Sequence, residues 1–147
     1  MDEQEFEKTI KKNIRDVLAW DLDLHDQALR KSFVGTPGDI YSDFKKPGFD
    51  SAYADFLGKD SSVKKLILDV IDEPYIHPIL RDSLWKPIHR DRERHKNLLK
   101  VLEKGEKIPE GWGDIDFHQE AIRKYNLLLN GLEYLWSKSG EWKPSEC

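Results

Sequence analysis

The sequence predicts an all-α fold, an irregular bundle of five to seven helices. Apolar side chains recur at helical spacing along most of the 147 residues, and no segment shows the strict alternation of a half-buried strand. Short connections containing Gly or Pro separate the periodic segments, as in helical bundles. A chain of this length can bury a core of its own. We therefore expect one helical domain over residues 1–138, followed by a flexible tail over 139–147.

The first two helices are predicted over residues 2–19 and 23–33. Asp2 can cap the first of them, and Glu5, three residues later, is its capping-box partner. Apolar residues then recur every three or four positions, which is typical of a helix with one buried face. Gly35 can end the second helix, since glycine readily adopts the left-handed conformation found after helix ends.

Residues 35–60 are the least regular part of the chain. They contain four glycines and two prolines but also five aromatic residues, and a flexible linker carries few aromatics. We expect these residues to form an ordered segment that packs on the bundle, with a short helix near 50–57. Tyr41 and Phe44 in this segment are candidate contacts for a partner.

Four further helices are predicted in the second half. Ser61 or Ser62 can cap a helix that Pro74 closes, and Pro78 suits the first turn of the next. Pro87 should break that helix or begin another one that runs to Lys104.

The last helix is predicted over 116–138. It has the broadest apolar face in the chain, so it should be the central element of the core. Leu127 and Tyr134 form a second apolar stripe on its other side. That stripe indicates contact either with another helix of this chain or with a partner.

Composition excludes several classes of protein. The longest uninterrupted apolar run is 17–20, whereas a spanning helix needs about 20 apolar residues. The sequence therefore predicts no membrane span and no signal peptide. Cys147 is the only cysteine, which excludes intrachain disulfides and zinc sites built from cysteines. The cytoplasm is the default compartment.

Charge is unevenly distributed along the chain. The net charge is −4, but residues 81–107 hold nine Lys or Arg against five Asp or Glu, so the remainder carries −8. One side of the helix over 86–104 is basic and is a candidate partner-binding face, with Lys86, Arg90, Arg94, Lys96 and Lys100. Because the whole chain is acidic, nucleic acid is disfavoured, and an acidic surface of another protein is the expected partner.

Two segments of the chain, one near each end, have similar sequences. Residues 21–31 match residues 114–124 at six of eleven positions, and both segments begin with Asp-x-Asp-x-His. Carboxylates and imidazoles suit Mn, Fe or Zn, so a divalent metal site is one hypothesis. Its ligands would be Asp21, Asp23, His25, Asp114, Asp116 and His118. The alternative, which we favour and which needs no cofactor, is a helix-start signature used twice, with Asp23 and Asp116 as N-caps.

No recognised catalytic motif supports an enzyme. The chain has no Gly-x-Ser-x-Gly elbow and no phosphate-binding loop. His95 and His118 fall on apolar helix faces, where a core or boundary histidine bonded to a backbone carbonyl is a simpler interpretation than a catalytic or metal-binding pair. The leading hypothesis is a small protein-binding regulator, inhibitor or adaptor without catalytic activity. A metal-dependent enzyme and nucleic-acid binding through 86–104 are the alternatives, and the oligomeric state stays open.

Overall fold

A computed structural model describes residues 2–32, 51–108 and 113–144. These residues form four helices and no strand: α1 over Glu3–Ser32, α2 over Ser51–Val70, α3 over Pro78–Glu103 and α4 over Ile115–Trp136. The all-α prediction is confirmed for this part of the chain, whereas the expected five to seven helices are not. None of the four helices is long and apolar enough to cross a membrane.

The four helices close into a ring in which each packs against two neighbours: α1 on α2, α2 on α3, α3 on α4 and α4 on α1. Contacts along the pairs give the directions. Lys11 near the start of α1 lies 3.7 Å from Asp72 just after α2, and His25 further along α1 lies 2.7 Å from Asp60 earlier in α2. α1 and α2 are therefore antiparallel.

Contacts of the other two helices give their directions in the same way. Arg81 at the start of α3 donates to the backbone carbonyl of Trp136 at the end of α4, and His95 late in α3 meets His118 early in α4. Phe6 packs edge-on against Tyr134 with 5.0 Å between the rings, so α1 and α4 also run in opposite directions. The topology is an up-down-up-down four-helix bundle.

Three predicted helix breaks lie inside continuous helices. Asp23 is within α1 and not its N-cap, the predicted capping serines 61 and 62 are within α2, and Pro87 is within α3. A proline inside a helix removes one backbone hydrogen bond and costs about 3 kcal/mol. Trp85 and Ile88 on either side of Pro87 are buried. Core packing along the whole helix thus outweighs the local break.

The predicted helix ends agree better with the structure. The Asp2 carboxylate accepts a hydrogen bond from the Glu5 N–H at 2.8 Å, and Pro78 lies in the first turn of α3. Gly105 follows α3 with a φ of 80°, which favours glycine. The prediction for α4 is wrong by one or two residues: Asp114, not Asp116, is the N-cap and accepts from the Phe117 N–H at 2.8 Å.

The core is centred on α4, as the sequence predicts. Leu128 and Leu132 are fully buried. Gly131 lets α1 approach closely, because a Cβ at this position would lie about 3.0 Å from Ile10. Tyr134 of the second apolar stripe packs on α1, while Leu127 is exposed.

Residues after α4 fold back onto the bundle. The Trp142 ring is 6% exposed and lies edge-on against Trp85 at 5.5 Å. It also meets Trp136 at 6.0 Å. The rest of the expected tail, 145–147, lies outside the described residues, as do Tyr41 and Phe44 in 33–50.

We predict that Leu128→Ala lowers the free energy of unfolding by about 2–5 kcal/mol, because it leaves a cavity at a fully buried position. Leu127→Ala, one residue away and 43% exposed, is the matched control and should change it by less than about 0.5 kcal/mol. Urea unfolding measures both. Equal effects in the two variants would show that α4 is not packed as described.

Candidate functional site

Ionisable side chains from all four helices meet inside the bundle. We call this group the ionic cluster, and it consists of Asp21, His25, Asp60, Lys64, Asp91 and Tyr125. Its most exposed side chain, that of His25, is 12% exposed, and that of Lys64 is fully buried. Charged groups are almost never buried in this way unless they are paired, so their mutual contacts decide what the cluster can do.

The Lys64 ammonium lies at the centre of the ionic cluster. It forms ion pairs with the carboxylates of Asp21 and Asp60. Its Nζ lies 3.0 Å from Asp91 Oδ2, 2.7 Å from His25 Nε2, and donates to the Tyr125 hydroxyl at 3.0 Å. One nitrogen on α2 therefore contacts side chains from each of the other three helices.

The partners of Lys64 also contact one another. The Tyr125 hydroxyl donates to Asp21 Oδ2 at 2.5 Å. His25 Nε2 lies 2.7 Å from Asp60 Oδ2 and 3.5 Å from Asp21 Oδ2, so the imidazole stands between two carboxylates. Most of the polar atoms in the cluster thus have a partner within it.

Asp91 differs from the other two carboxylates. Its Oδ1 accepts a hydrogen bond from Arg94 at 3.0 Å. Its Oδ2 faces Lys64 at 3.0 Å but makes no hydrogen bond of good geometry within the part of the chain described. Burial raises the pKa of Asp91 to about 7; the Lys64 charge opposes this rise, and the nearby Asp60 carboxylate adds to it.

The other two carboxyl groups stay ionised despite their burial. Burial favours their neutral form, but hydrogen bonding to His25 and the charge of Lys64 outweigh it. The pKa of Asp60 falls to about 2, and that of Asp21 lies well below its usual range.

Both basic groups stay charged near neutral pH. Burial lowers the pKa of His25, but its contacts with Asp21 and Asp60 raise it to about 9 against the opposing charge of Lys64. Burial likewise opposes the charge of Lys64, whose three carboxylate neighbours hold its pKa above the usual range. Two cations then balance two anions when Asp91 is protonated, which makes the cluster neutral below about pH 7.

A histidine pair lies beside the ionic cluster. His95 Nδ1 and His118 Nδ1 are 2.9 Å apart, so one nitrogen must donate and the other accept. Burial, and then the neighbouring His118, lower the pKa of His95 to about 4. The His95 ring also lies 5.5 Å from the Tyr125 ring. The two imidazoles are therefore partners of each other, with His118 buried and His95 half-buried.

The structure divides the predicted metal residues. Asp21 and His25 lie in the ionic cluster, and His118 is in the histidine pair. Asp114 caps α4, and Asp23 and Asp116 are exposed. The two Asp-x-Asp-x-His segments therefore do not form one site. Among the described residues, the group with metal-binding spacing is Asp21, His25 and Asp60, whose ligand atoms lie within 4.8 Å of one another.

Sequence reasoning missed three members of the ionic cluster on α2 and α3. Asp60, Lys64 and Asp91 occupy buried positions, each three or four residues from a buried apolar residue or from one another. A polar residue in register with an apolar stripe is the signal that could have found them. Lysine and aspartate are usually exposed, so the pattern alone favoured a surface position.

The basic face of α3 is smaller than the sequence suggests. Lys86 pairs with Asp82 at 2.9 Å and Lys96 with Glu93 at 3.6 Å, both on α3 itself. Arg94 is 47% exposed and bonds to Asp91. Arg90 and Lys100 are exposed, and neither forms an ion pair with any residue that the structure describes. These two remain as basic groups open to a partner.

Comparison of this chain with protein-family models, with curated proteins and with solved structures gives no match.

We predict that the stability of the protein falls as the pH rises from about 7.5 to 9.5. The pKa of His25 is about 9 in the folded chain and about 6.5 in the unfolded one. The stabilisation that the charged His25 provides is thus complete below about pH 6.5 and is lost as the pH rises through about 9. Between these values the free energy of unfolding falls with a slope approaching 1.4 kcal/mol per pH unit. Urea unfolding at several pH values measures it.

His25→Gln should abolish this slope, whereas His77→Asn should keep it. His77 is exposed and caps α3 by accepting from the Ile79 N–H at 3.1 Å, a role that asparagine can fill. An unchanged slope in His25→Gln would show that this imidazole is not held charged by the two carboxylates.

Proposed function

We propose that this protein is a non-catalytic binding protein, a regulator or adaptor that recognises an acidic surface of another protein through α3. The observation that carries the proposal is the exposure of Arg90 and Lys100 on one side of that helix without an ion pair among the described residues. Arg94, partly exposed, extends the same face. Exposed charges of one sign steer an oppositely charged partner and raise its association rate.

The ionic cluster supports a binding protein over an enzyme. Its side chains are nearly or fully buried, and only His25 reaches the surface appreciably, at 12% exposure. A substrate from solution could not contact the carboxylates without displacing helix packing. Arginine is also the charged residue enriched at protein interfaces, which favours α3 as a contact face.

A protein partner fits this face better than nucleic acid does. Asp82 and Glu93 lie among the basic residues of α3 and neutralise Lys86 and Lys96. The remaining free charges are few, and the whole chain carries a net charge of −4. Binding to a phosphate backbone needs several simultaneous cation contacts.

We predict that Arg90→Glu with Lys100→Glu abolishes binding to an acidic polypeptide. The probe is fluorescent poly-glutamate, and fluorescence anisotropy at low salt follows its binding. The Kd should rise at least about tenfold, because two attractions become repulsions. The control is Lys8→Glu with Lys65→Glu, which changes net charge equally at exposed positions on α1 and α2.

Equal loss in both double variants would mean that overall charge, not α3, attracts the probe. A duplex oligonucleotide of the same length is titrated in parallel. Binding of the duplex without binding of poly-glutamate would favour nucleic-acid recognition, and binding of neither would remove the proposal.

A second candidate is a metal-dependent enzyme, which the spacing of Asp21, His25 and Asp60 favours. Two carboxylates and one imidazole suit Mn, Fe or Zn. The Lys64 ammonium already contacts all three groups, so a divalent ion would have to displace it. Asp91 Oδ2, which lies 3.0 Å from Lys64 Nζ, would be the fourth ligand and the third oxygen for such an ion.

If a metal binds there, we predict that His25→Ala empties the site while His118→Ala keeps it, because only His25 belongs to the spaced group. Lys64→Met should raise the metal content, since it removes the competing cation. Plasma mass spectrometry of protein equilibrated with Mn²⁺, Fe²⁺ or Zn²⁺ measures this, with circular dichroism to confirm folding. Metal that is retained in folded His25→Ala would rule out this site.

A further inference from the structure

A cavity of about 590 Å³ lies between α3, α4 and the segment that follows α4. Its α3 wall is a single stripe at i, i+4 and i+7, formed by Trp85, His89 and Arg92. Trp142 and Lys143 contribute from the segment after α4. The volume falls in the range of small-molecule sites, about 300–1,000 Å³. The cavity is separate from the ionic cluster and has no role in the proposed function.

Three residues that line the cavity carry buried nitrogen atoms without a partner. These atoms are His89 Nδ1, Arg92 Nε and Trp142 Nε1, and none makes a hydrogen bond within the part of the chain described. Such groups are rare in proteins, because each buried donor left unpaired costs about 1–3 kcal/mol. Arg92 Nε and Trp142 Nε1 are donors that lack an acceptor, whereas His89 Nδ1 can donate or accept according to its tautomer, so we infer that something else completes these contacts.

The chemistry of these nitrogens limits what can bind. Trp142 Nε1 and Arg92 Nε are donors only, so a ligand must offer acceptor oxygens. Lys143 brings a positive charge to the lining and Glu133 a negative one, while Arg92 pairs with Glu93 at 3.4 Å. The unpaired donors, and not a surplus of positive charge, therefore favour a ligand with acceptor oxygens such as a carboxylate.

The aromatic walls add a second requirement. The Trp85 and Trp142 rings meet edge to face at 5.5 Å, and Trp85 stacks on His89 at 6.5 Å. Ring faces and edges of this kind pack best against another flat apolar group. Arg92 is anchored beside them by its hydrogen bond to Asn126 at 3.0 Å, which holds the guanidinium in place.

We propose that this cavity binds a small aromatic carboxylate. The carboxylate accepts from the nitrogens of Arg92 and Trp142, and its ring packs on the tryptophan wall. Water alone could also supply acceptor oxygens, but it makes no use of the aromatic surface. Binding in this cavity does not depend on the basic face of α3. An experiment can therefore reject one of the two proposals and leave the other standing.

The test follows the tryptophan indole N–H signals of the isotope-labelled full chain by NMR. The chain has five tryptophans, and Trp142→Phe identifies the signal of Trp142. Titration with benzoate should move that signal downfield to saturation, with a Kd of roughly millimolar for so small a ligand. Trp20, which lies on α1 against Phe117, should not move. Benzyl alcohol, the neutral analogue, should bind at least about tenfold more weakly.

Arg92→Met should weaken benzoate binding at least about fivefold, as judged by the same signal. Arg123→Met, at a side chain 61% exposed and paired with Glu120, is the matched control and should leave it unchanged. If Arg92→Met does not fold, Lys143→Met tests the charge requirement at the second lining cation.

Three results would overturn the proposal. The first is a Trp142 signal that does not move up to roughly 20 mM benzoate, far above the expected Kd, which would mean that water alone fills the cavity. The second is an equal response to benzyl alcohol, which would show that the cavity does not select an anion. The third is unchanged benzoate binding in folded Arg92→Met or, where that variant does not fold, in Lys143→Met.

Discussion

The buried ammonium of Lys64 is the constraint on which the arrangement of the four helices depends. Removing an ammonium and its counter-ions from water costs several kcal/mol per ion, and the cost is recovered only when every partner is in place. Here the partners come from the three other helices: Asp21 on α1, Asp91 on α3 and Tyr125 on α4. A shift of one helix by a turn would leave a charge buried without a partner. The cluster therefore selects one register among the many that apolar packing alone would tolerate.

The cluster also divides the interior into two levels. On each helix a buried apolar stripe continues into polar residues at one end, and the directions of the helices bring these polar ends together. On α1 the apolar stripe ends at Leu18 and is followed along the chain by Asp21. On α2, which runs in the opposite direction, Lys64 comes before the apolar Ile67. On α4 it passes from Leu128 to Tyr125 and then to His118. The apolar level supplies most of the stabilisation and the polar level supplies the specificity.

Much of the fold can be read from the sequence, because it depends on local signals. The 3.6-residue period gives the helix class, and Asp2 and Gly105 mark ends by hydrogen bonding and backbone preference that act within a few residues. The breaks assigned to Asp23 and Pro87 are wrong because a local cap or a missing hydrogen bond is outweighed by burial along the whole helix. No single segment contains that information.

The candidate site is harder to read because its contacts are long-range. His25 and Lys64 are 39 residues apart, and Tyr125 and Asp21 are 104 apart. The first copy of the Asp-x-Asp-x-His pattern contains Asp21 and His25 of the ionic cluster, whereas the second copy gives α4 its cap and a buried histidine. Identical residues acquire different roles because the first copy lies in the middle of a long helix and the second begins one.

α3, the most basic helix of the chain, combines three environments around its axis. Asp91 and Ile88 face the interior, where a positive charge would be costly without a partner. Trp85, His89 and Arg92 line the cavity on an adjacent side. Arg90, Arg94 and Lys100 are exposed, and the Arg94 side chain reaches from the surface to the buried Asp91 through its bond to that carboxylate. Neither Arg90 nor Lys100 lines the cavity, so the two candidate sites on this helix use different side chains.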